Sequence, residues 1–242
     1  MSVTTARKAR EREKRQTLIV EKSDELLKEH GYHGFNLDRL AERVEYSKGT
    51  LYQHFESKED IVLAVVIEHI KYRAELFKKA SEFQGRARER MTGVGMADSI
   101  LVKLVPHSFA LNQFVQTPSV WERTSDKMRD LAKEMMCKVG EPPQTILRDA
   151  VSSGDLPKNV VPHSVMAGLI CLAKGTHLMS QAELVPCGEL QKIAPQDLPK
   201  NYDYFLDGVG WGPSSKVWDY TGTRRRLRDE VFHSEMAKIT KF

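Results

Sequence analysis

The chain has 242 residues, of which 40% are hydrophobic, 29% charged and 8% aromatic, so it carries enough apolar residues for a folded core and too many for wholesale disorder or a collagen-like repeat. Its longest apolar run, residues 61–67, is far too short for a membrane span, and its N-terminal MSVTTARKAR lacks the apolar stretch of a signal peptide. The net charge of +4 is concentrated at one end: residues 1–15 hold six basic groups (Arg7, Lys8, Arg10, Arg12, Lys14, Arg15) against Glu11 and Glu13, and the remaining residues sum to zero.

A basic N-terminal arm on a neutral body points to a polyanion partner near the N-terminus, with a solvated tail as the bland alternative. Cys137, Cys171 and Cys187 are scattered and have no CxxC spacing, which fits reduced thiols in a cytoplasmic protein without a membrane segment.

From Ile19 onward the spacing of Ile19, Ser23, Leu26 and Leu27 predicts a helix that ends at Gly31. Asn36 is the N-cap of a second, short helix with Leu37, Leu40, Ala41 and Val44 on one face. After a break at Glu45-Tyr46, Ser47 caps a third short helix that carries Leu51 and Phe55. Ser57, with Asp60 three residues on, starts a long fourth helix reaching about residue 80.

Beyond it, helices are expected at 86–105, 107–116 and 119–139, the last interrupted by Gly140 and Pro142-Pro143 and resumed at 144–153. A further helix runs from Pro162 to about Leu184, followed by a loop rich in proline and glycine at 186–199. A short helix over 201–209 and a final helix from about Ser214 to Ile239, containing Arg224, Arg225, Arg226 and Arg228, complete the chain. No alternating strand pattern and no internal repeat is seen, so an all-α fold is expected.

Two short helices joined by a tight turn form a helix-turn-helix, whose second helix enters the DNA major groove. That helix needs small residues for close approach and donors that reach phosphates and base edges. Ser47-Lys48-Gly49-Thr50 meets the need at its start: Gly49 leaves the backbone open, Lys48 can donate to guanine or phosphate, and Gln53 can pair with adenine. Thr50, Tyr52 and His54 are candidate phosphate donors. Lys58, in the first turn of the fourth helix, would combine with the helix N-terminus as a phosphate clamp.

The segment GYHGFNLDRLAERVEYSKGTLYQHFESKEDI resembles the DNA-binding domain of TetR-type (tetracycline-repressor-like) regulators. Gly31, Leu40-Ala41, Ser47, Gly49-Thr50-Leu51-Tyr52, His54-Phe55, Lys58 and Ile61 carry the likeness, which covers about residues 16–65. It departs at Glu45, where that family usually has glycine, at Tyr46, where it has valine, and at Phe35, where threonine is common.

The resemblance implies phosphate contacts from Asn36, Tyr52, His54 and Lys58, base contacts from Lys48, Gly49, Thr50 and Gln53, and a core of Leu37, Leu40, Ala41, Val44, Leu51 and Phe55. Beyond the basic arm that the charges set at 1–15, it implies a helix-turn-helix domain at 16–65 (the motif itself about 36–55) and a helical regulatory and dimerisation domain at 66–242. The last has a C-terminal extension from about 213, whose RRRLR run reads as a solvated or intersubunit charged face. The partners implied are double-stranded operator DNA, a second copy of the chain, and a small apolar ligand of unknown identity that releases a repressor from an inverted repeat.

Two rival readings concern residues 80–242. As an enzyme the segment is poorly equipped: Gly93-Val-Gly95 and Gly208-Val-Gly210 follow no strand, His107, His163, His177 and His233 show no metal-ligand spacing, and Cys171 and His177 lie six apart on one expected helix. A thiol or metal sensor is weakened by the dispersed cysteines. No catalytic residue, cofactor or metal is expected. Phe109, Phe114, Trp121, Met128 and Met166, with Met135, Met136 and Met179, suit either an ordinary core or an adaptable ligand pocket, with His177, His107 and Asn112 as polar orienting groups. A regulator that binds DNA constitutively, its large domain serving only to dimerise, is the remaining alternative.

Overall fold

The structure, a computed structural model, describes residues 3–180 and 197–239, and among these it contains helices and no strand. The chain divides into two compact units, one of Met1–Lys71 with His107–Met136 and one of Tyr72–Pro106 with Cys137–Phe242. The stretch 107–136, grouped with the large domain from the sequence, thus packs with the N-terminal helices. No single helix among the described residues is long and apolar enough to cross a membrane.

The first unit opens with α1 (Val3–Gly34), which is interrupted at Gly31, φ 62° and ψ −179°. That backbone conformation is open only to glycine, so the expected stop at Gly31 is a true one. The basic segment is not a loose arm: residues 3–15 form the first turns of α1 itself. Ile19, Ser23, Leu26 and Leu27 are buried, and the Ser23 hydroxyl donates to the Ile19 carbonyl. α2 (Leu37–Val44) and α3 (Lys48–Tyr52) follow, with Leu40, Val44, Leu51 and Phe55 buried beneath them. α4 (Lys58–Ser81) begins in this unit and is buried on all sides over 61–67, as expected of a run with no polar face.

The end of this unit differs from the expected single helix at 119–139. α6 (Ser108–Val115) is followed by a single turn, α7 (Pro118–Trp121), and then by α8 (Asp126–Ser153). The gap is held by side chains that take the backbone's hydrogen bonds. Asp60 accepts from the Ser125 N–H at 2.7 Å, and Arg129 donates to the carbonyls of Trp121 and Thr124 at 3.0 and 2.7 Å.

α8 also corrects the expected break at Gly140 and Pro142-Pro143, because the helix continues through both prolines. Met135, Val139, Pro143, Ile146, Leu147 and Ala150 are all buried at helical spacing, and burial of this stripe outweighs the hydrogen bonds the prolines forfeit.

In the second unit α5 (Ala87–Leu104), α9 (Pro162–Ser180) and α10 (Leu198–Gly208) pack together, and the Tyr202 hydroxyl donates to the Leu169 carbonyl at 3.1 Å. The expected end of α9 near Leu184 and the loop up to residue 196, with Cys187, lie outside the described residues.

The expected continuous helix from Ser214 to Ile239 is instead α11 (Tyr220–Arg226), a π-helical turn (Leu227–Val231) and α12 (His233–Ile239). Asp219 starts α11 late by accepting from the Gly222 N–H at 2.9 Å. Leu227 and Phe232, both fully buried, are five residues apart. An α-helix would turn them about 140° away from each other, whereas the π turn, closed by Phe232 N–H donating to Leu227 O at 3.0 Å, keeps both on the core.

The extension is part of the fold. Arg88 on α5, wholly buried, pairs with Asp207 at 2.7 Å and donates to the carbonyls of Asp203, Trp211 and Pro213, while its guanidinium lies 4.6 Å from the Tyr220 ring centroid. Thr223 donates to Glu89 at 2.8 Å and Lys79 pairs with buried Glu235 at 2.6 Å. Within the RRRLR run, Arg224 is drawn into the unit by buried Asp203, whereas Arg226 and Arg228 pair with the exposed Glu230 and Asp229.

Candidate DNA-binding interface

α2 is short, and local chemistry sets both its ends. Asn36, in an extended conformation, accepts from the Arg39 N–H at 2.9 Å. At the other end Glu45 takes a left-handed conformation, φ 57° and ψ 37°, where the resembling family places glycine. Ser47 then caps α3: its Oγ accepts from the Thr50 N–H at 3.1 Å and lies 3.0 Å from the Thr50 hydroxyl. With Leu51 and Phe55 anchored in the core, the opposite face of α3 is turned outward.

That outward face holds the residues expected to meet DNA. Ser47, Lys48, Gly49 and Gln53 are exposed, Thr50 is half-buried, and Tyr52 is 54% exposed despite its size. Tyr52 is therefore not part of the core. Lys48 pairs with Asp38 of α2 at 2.6 Å, both side chains being at least half exposed, an ion pair worth little in water and open to exchange for a phosphate or a base edge. A Cβ on Gly49 would meet only the Ser47 Oγ at 3.6 Å. Nothing inside the protein requires glycine there.

His54 and Lys58 are held otherwise than a free phosphate donor would be. His54 is half-buried, its Nδ1 is enclosed without a hydrogen-bond partner, and burial followed by the charges of Arg12 and Arg15 lowers its pKa, so the ring is neutral near pH 7. Lys58 folds back onto the chain: its Nζ lies 4.1 Å from the Tyr32 ring centroid and donates to the Tyr32 carbonyl at 3.3 Å, and burial lowers its pKa. The N-terminus of α4 is also already occupied, since Ser57 Oγ accepts from the Asp60 N–H at 2.9 Å and Asp60 accepts from Glu56. Tyr32, which supports Lys58, donates its hydroxyl to Glu59 at 3.1 Å and stacks on Phe114 at 4.1 Å.

Sequence reasoning missed that the basic segment is helical and set beside α3. Lys8, Glu11, Arg12, Arg15, Gln53 and His54 line one groove, and Arg12 donates to the Gln53 carbonyl at 3.4 Å. The run of good helix formers from Ala6 to Lys14 was the available signal. The residues proposed for a ligand pocket divide between the units: Phe109, Phe114, Trp121 and Met128, for instance, lie in the first, Met166 and His177 in the second. Phe109 and Met128 are buried in the core of the first unit. His177 is buried beside Asp98, which also pairs with Arg73.

Residues 19–65 match the family model described as bacterial regulatory proteins, tetR family. The HTH-type transcriptional activator FasR of Mycolicibacterium smegmatis is 37% identical over 59 residues, a match covering 24% of this chain and only 27% of that protein. The HTH-type transcriptional regulator UidR of Escherichia coli K12 is 26% identical over 149 residues, 60% of this chain and 70% of that protein. Among solved structures, FadR of Bacillus subtilis, determined in complex with stearoyl-CoA, superimposes with a TM-score of 0.60 at 17% identity, covering 81% of this chain and 98% of that one, a likeness of fold. Residues 19–65 are thus similar to the DNA-binding segment of the tetR family of bacterial regulatory proteins, and the chain as a whole shares the fold of solved members.

Proposed function

We propose that the protein is a sequence-specific DNA-binding transcriptional regulator, a homodimeric repressor that leaves an inverted-repeat operator when a small, largely apolar ligand binds. The observation that carries the reading is the outward face of α3, where Lys48, Gly49, Tyr52 and Gln53 are left out of the core on a helix whose turn and caps are fully built. Lys48 and Gln53 are the base-reading groups in this proposal. Asn36, Ser47, Thr50 and Tyr52 serve the backbone, together with the basic start of α1, and His54 and Lys58 join them only on release from the contacts that hold them. A DNA-bound role places the protein in the cytoplasm.

Dimerisation is supported by α9. Its exposed residues Ala167, Ile170, Cys171, Lys174 and Leu178 recur at helical spacing, and Ile170 and Leu178 are 46% and 56% exposed. Tyr204 on the adjoining α10 is 59% exposed. An apolar stripe of this kind on two packed helices suits a second copy of the same surface related by a twofold axis. The fold shared with a regulator solved with stearoyl-CoA supports a long-chain acyl thioester as the first ligand to try.

Footprinting on the DNA flanking the protein's own gene tests the reading directly. The expected result is protection of two half-sites about one or more helical turns apart, by a dimer. A monomer on bound operator in sedimentation, or protection without symmetry, refutes it. Ile170→Glu with Leu178→Arg is expected to give monomers with weakened operator binding.

A further inference from the structure

Outside the DNA-binding face, one cluster in the first unit serves no role so far described. Asp24 of α1, His69 of α4 and His107, the residue before α6, converge although they are far apart in sequence. The Nε2 atoms of His69 and His107 lie 3.0 and 2.7 Å from the same carboxylate oxygen, Asp24 Oδ1. The two rings meet edge to face with centroids 5.4 Å apart, and all three donor atoms lie within 4.8 Å of one another. The sequence gives no hint of this set, because 45 and 83 residues separate the two histidines from Asp24 and no short motif links them.

From this geometry we infer that Asp24, His69 and His107 form a binding site for a divalent transition-metal ion. Two imidazole nitrogens and one carboxylate oxygen are the ligand types that Zn²⁺, Co²⁺ and Ni²⁺ prefer. Ligand atoms bonded at about 2.1 Å to one such ion sit about 3.0–3.4 Å apart when they subtend 90–109°. The spacing of His69 from Asp24 already fits, the one of His107 needs a few tenths of an ångström, and the two Nε2 atoms, within 4.8 Å of each other, must come to the same range as the ion binds.

The site is reachable. The Asp24 side chain is 37% exposed, and Asp24 and His69 line a cavity of about 660 Å³ whose wall also carries Glu13, Glu21 and the ion pair of Glu68 with Lys71. That space leaves room for water at the remaining coordination positions, and its carboxylates favour entry of a cation. One feature weakens the site: Nδ1 of both rings is buried without a hydrogen-bond partner. A metal at Nε2 places the ring proton on Nδ1, where no acceptor fixes it, so the dissociation constant is expected to be on the order of micromolar rather than nanomolar.

Co²⁺ titration of the full-length protein tests the inference. Saturation at one ion per chain, with visible d–d absorption that Zn²⁺ abolishes, is expected. Asp24→Asn and the double variant His69→Gln/His107→Gln are expected to weaken Co²⁺ binding by more than about tenfold. Because these substitutions also remove hydrogen bonds, the wild-type chain supplies a second reading: Zn²⁺ should protect His69 and His107 from diethyl pyrocarbonate, mapped by mass spectrometry. If the three side chains are only a hydrogen-bonded junction, neither absorption nor protection appears. If the ion binds elsewhere, both variants retain it. Either result overturns the proposal.

Discussion

Glu45 closes the helix-turn-helix in a left-handed conformation that costs a side-chain-bearing residue about 1–2 kcal/mol. Glu45→Gly relieves that cost but adds about 0.4–1 kcal/mol of unfolded-chain freedom. A net gain of between about 0 and 1.6 kcal/mol is therefore expected, read as a raised midpoint in urea. Gly49 is the converse case. Its Cβ position is open within the protein, and alanine is the better helix former by about 1 kcal/mol. Gly49→Ala should leave the melting temperature unchanged or raised while weakening operator binding. Thermal unfolding and a binding titration on the same sample check the pair, and unchanged DNA affinity would remove Gly49 from the interface.

The residues of this motif were legible to different degrees for a physical reason. The caps Asn36, Ser47 and Ser57 act over three residues, so the sequence displays them. Lys58 is held by Tyr32, 26 residues away, and only the fold shows that it is not a free surface charge.

At the scale of elements, hydrophobic spacing predicted α2, α4, α5 and the described part of α9 well because each buries a stripe or a whole surface. Breaker residues misled where burial opposed them, at Pro142-Pro143 in α8, and periodicity misled after Ser214, where Asp219 and the π turn divide the expected helix. The basic start of α1 yields a prediction of its own. Because Arg12 reaches the end of α3 and phosphate contacts are blind to sequence, deleting residues 1–12 should weaken operator and random DNA alike. It should also flatten the salt dependence. A loss confined to operator DNA would assign this segment to base reading instead.

The C-terminal elements depend on one buried cation. Arg88→Ala takes a shared donor from three carbonyls and from Asp207, which keeps its hydrogen bonds from Ser215, and each buried acceptor left unpaired costs about 1–3 kcal/mol. Lysine cannot serve so many partners from one ammonium, so Arg88→Lys should not restore stability. Denaturant unfolding of the three proteins measures this.

For the molecule as a whole, acid sensitivity and regulation are the two properties the structure bears on. Burial resists ionisation of Asp98, but the charges of Arg73 and His177 outweigh it and hold its pKa below the ordinary value, while its own charge helps to raise that of Tyr202. A carboxylate depressed in the folded state contributes stability that is present above its unfolded pKa of about 3.9 and lost as pH falls through the folded value. Asp98→Asn should therefore be destabilised relative to the native chain at pH 7, with the gap narrowing below about pH 4. Urea midpoints at pH 7 and pH 3 decide it, and a gap that stays constant would mean that the charge on Asp98 contributes nothing.

Regulation in the proposed reading asks two sites to share one equilibrium. α4 supplies residues to both compact units, so it is an element whose position operator and ligand could each bias. To weaken operator binding tenfold, a ligand must favour the non-binding state by about 1.4 kcal/mol. Reciprocity then requires operator DNA to weaken that ligand by the same factor. Stearoyl-CoA is the first probe, titrated calorimetrically into the protein alone and into its operator complex. A dissociation constant about tenfold larger in the complex is the expected result. Tight binding that is identical in the two titrations would show that this ligand does not act on the DNA-binding face, and a large domain that binds no acyl-CoA would leave dimerisation as the remaining role proposed for it.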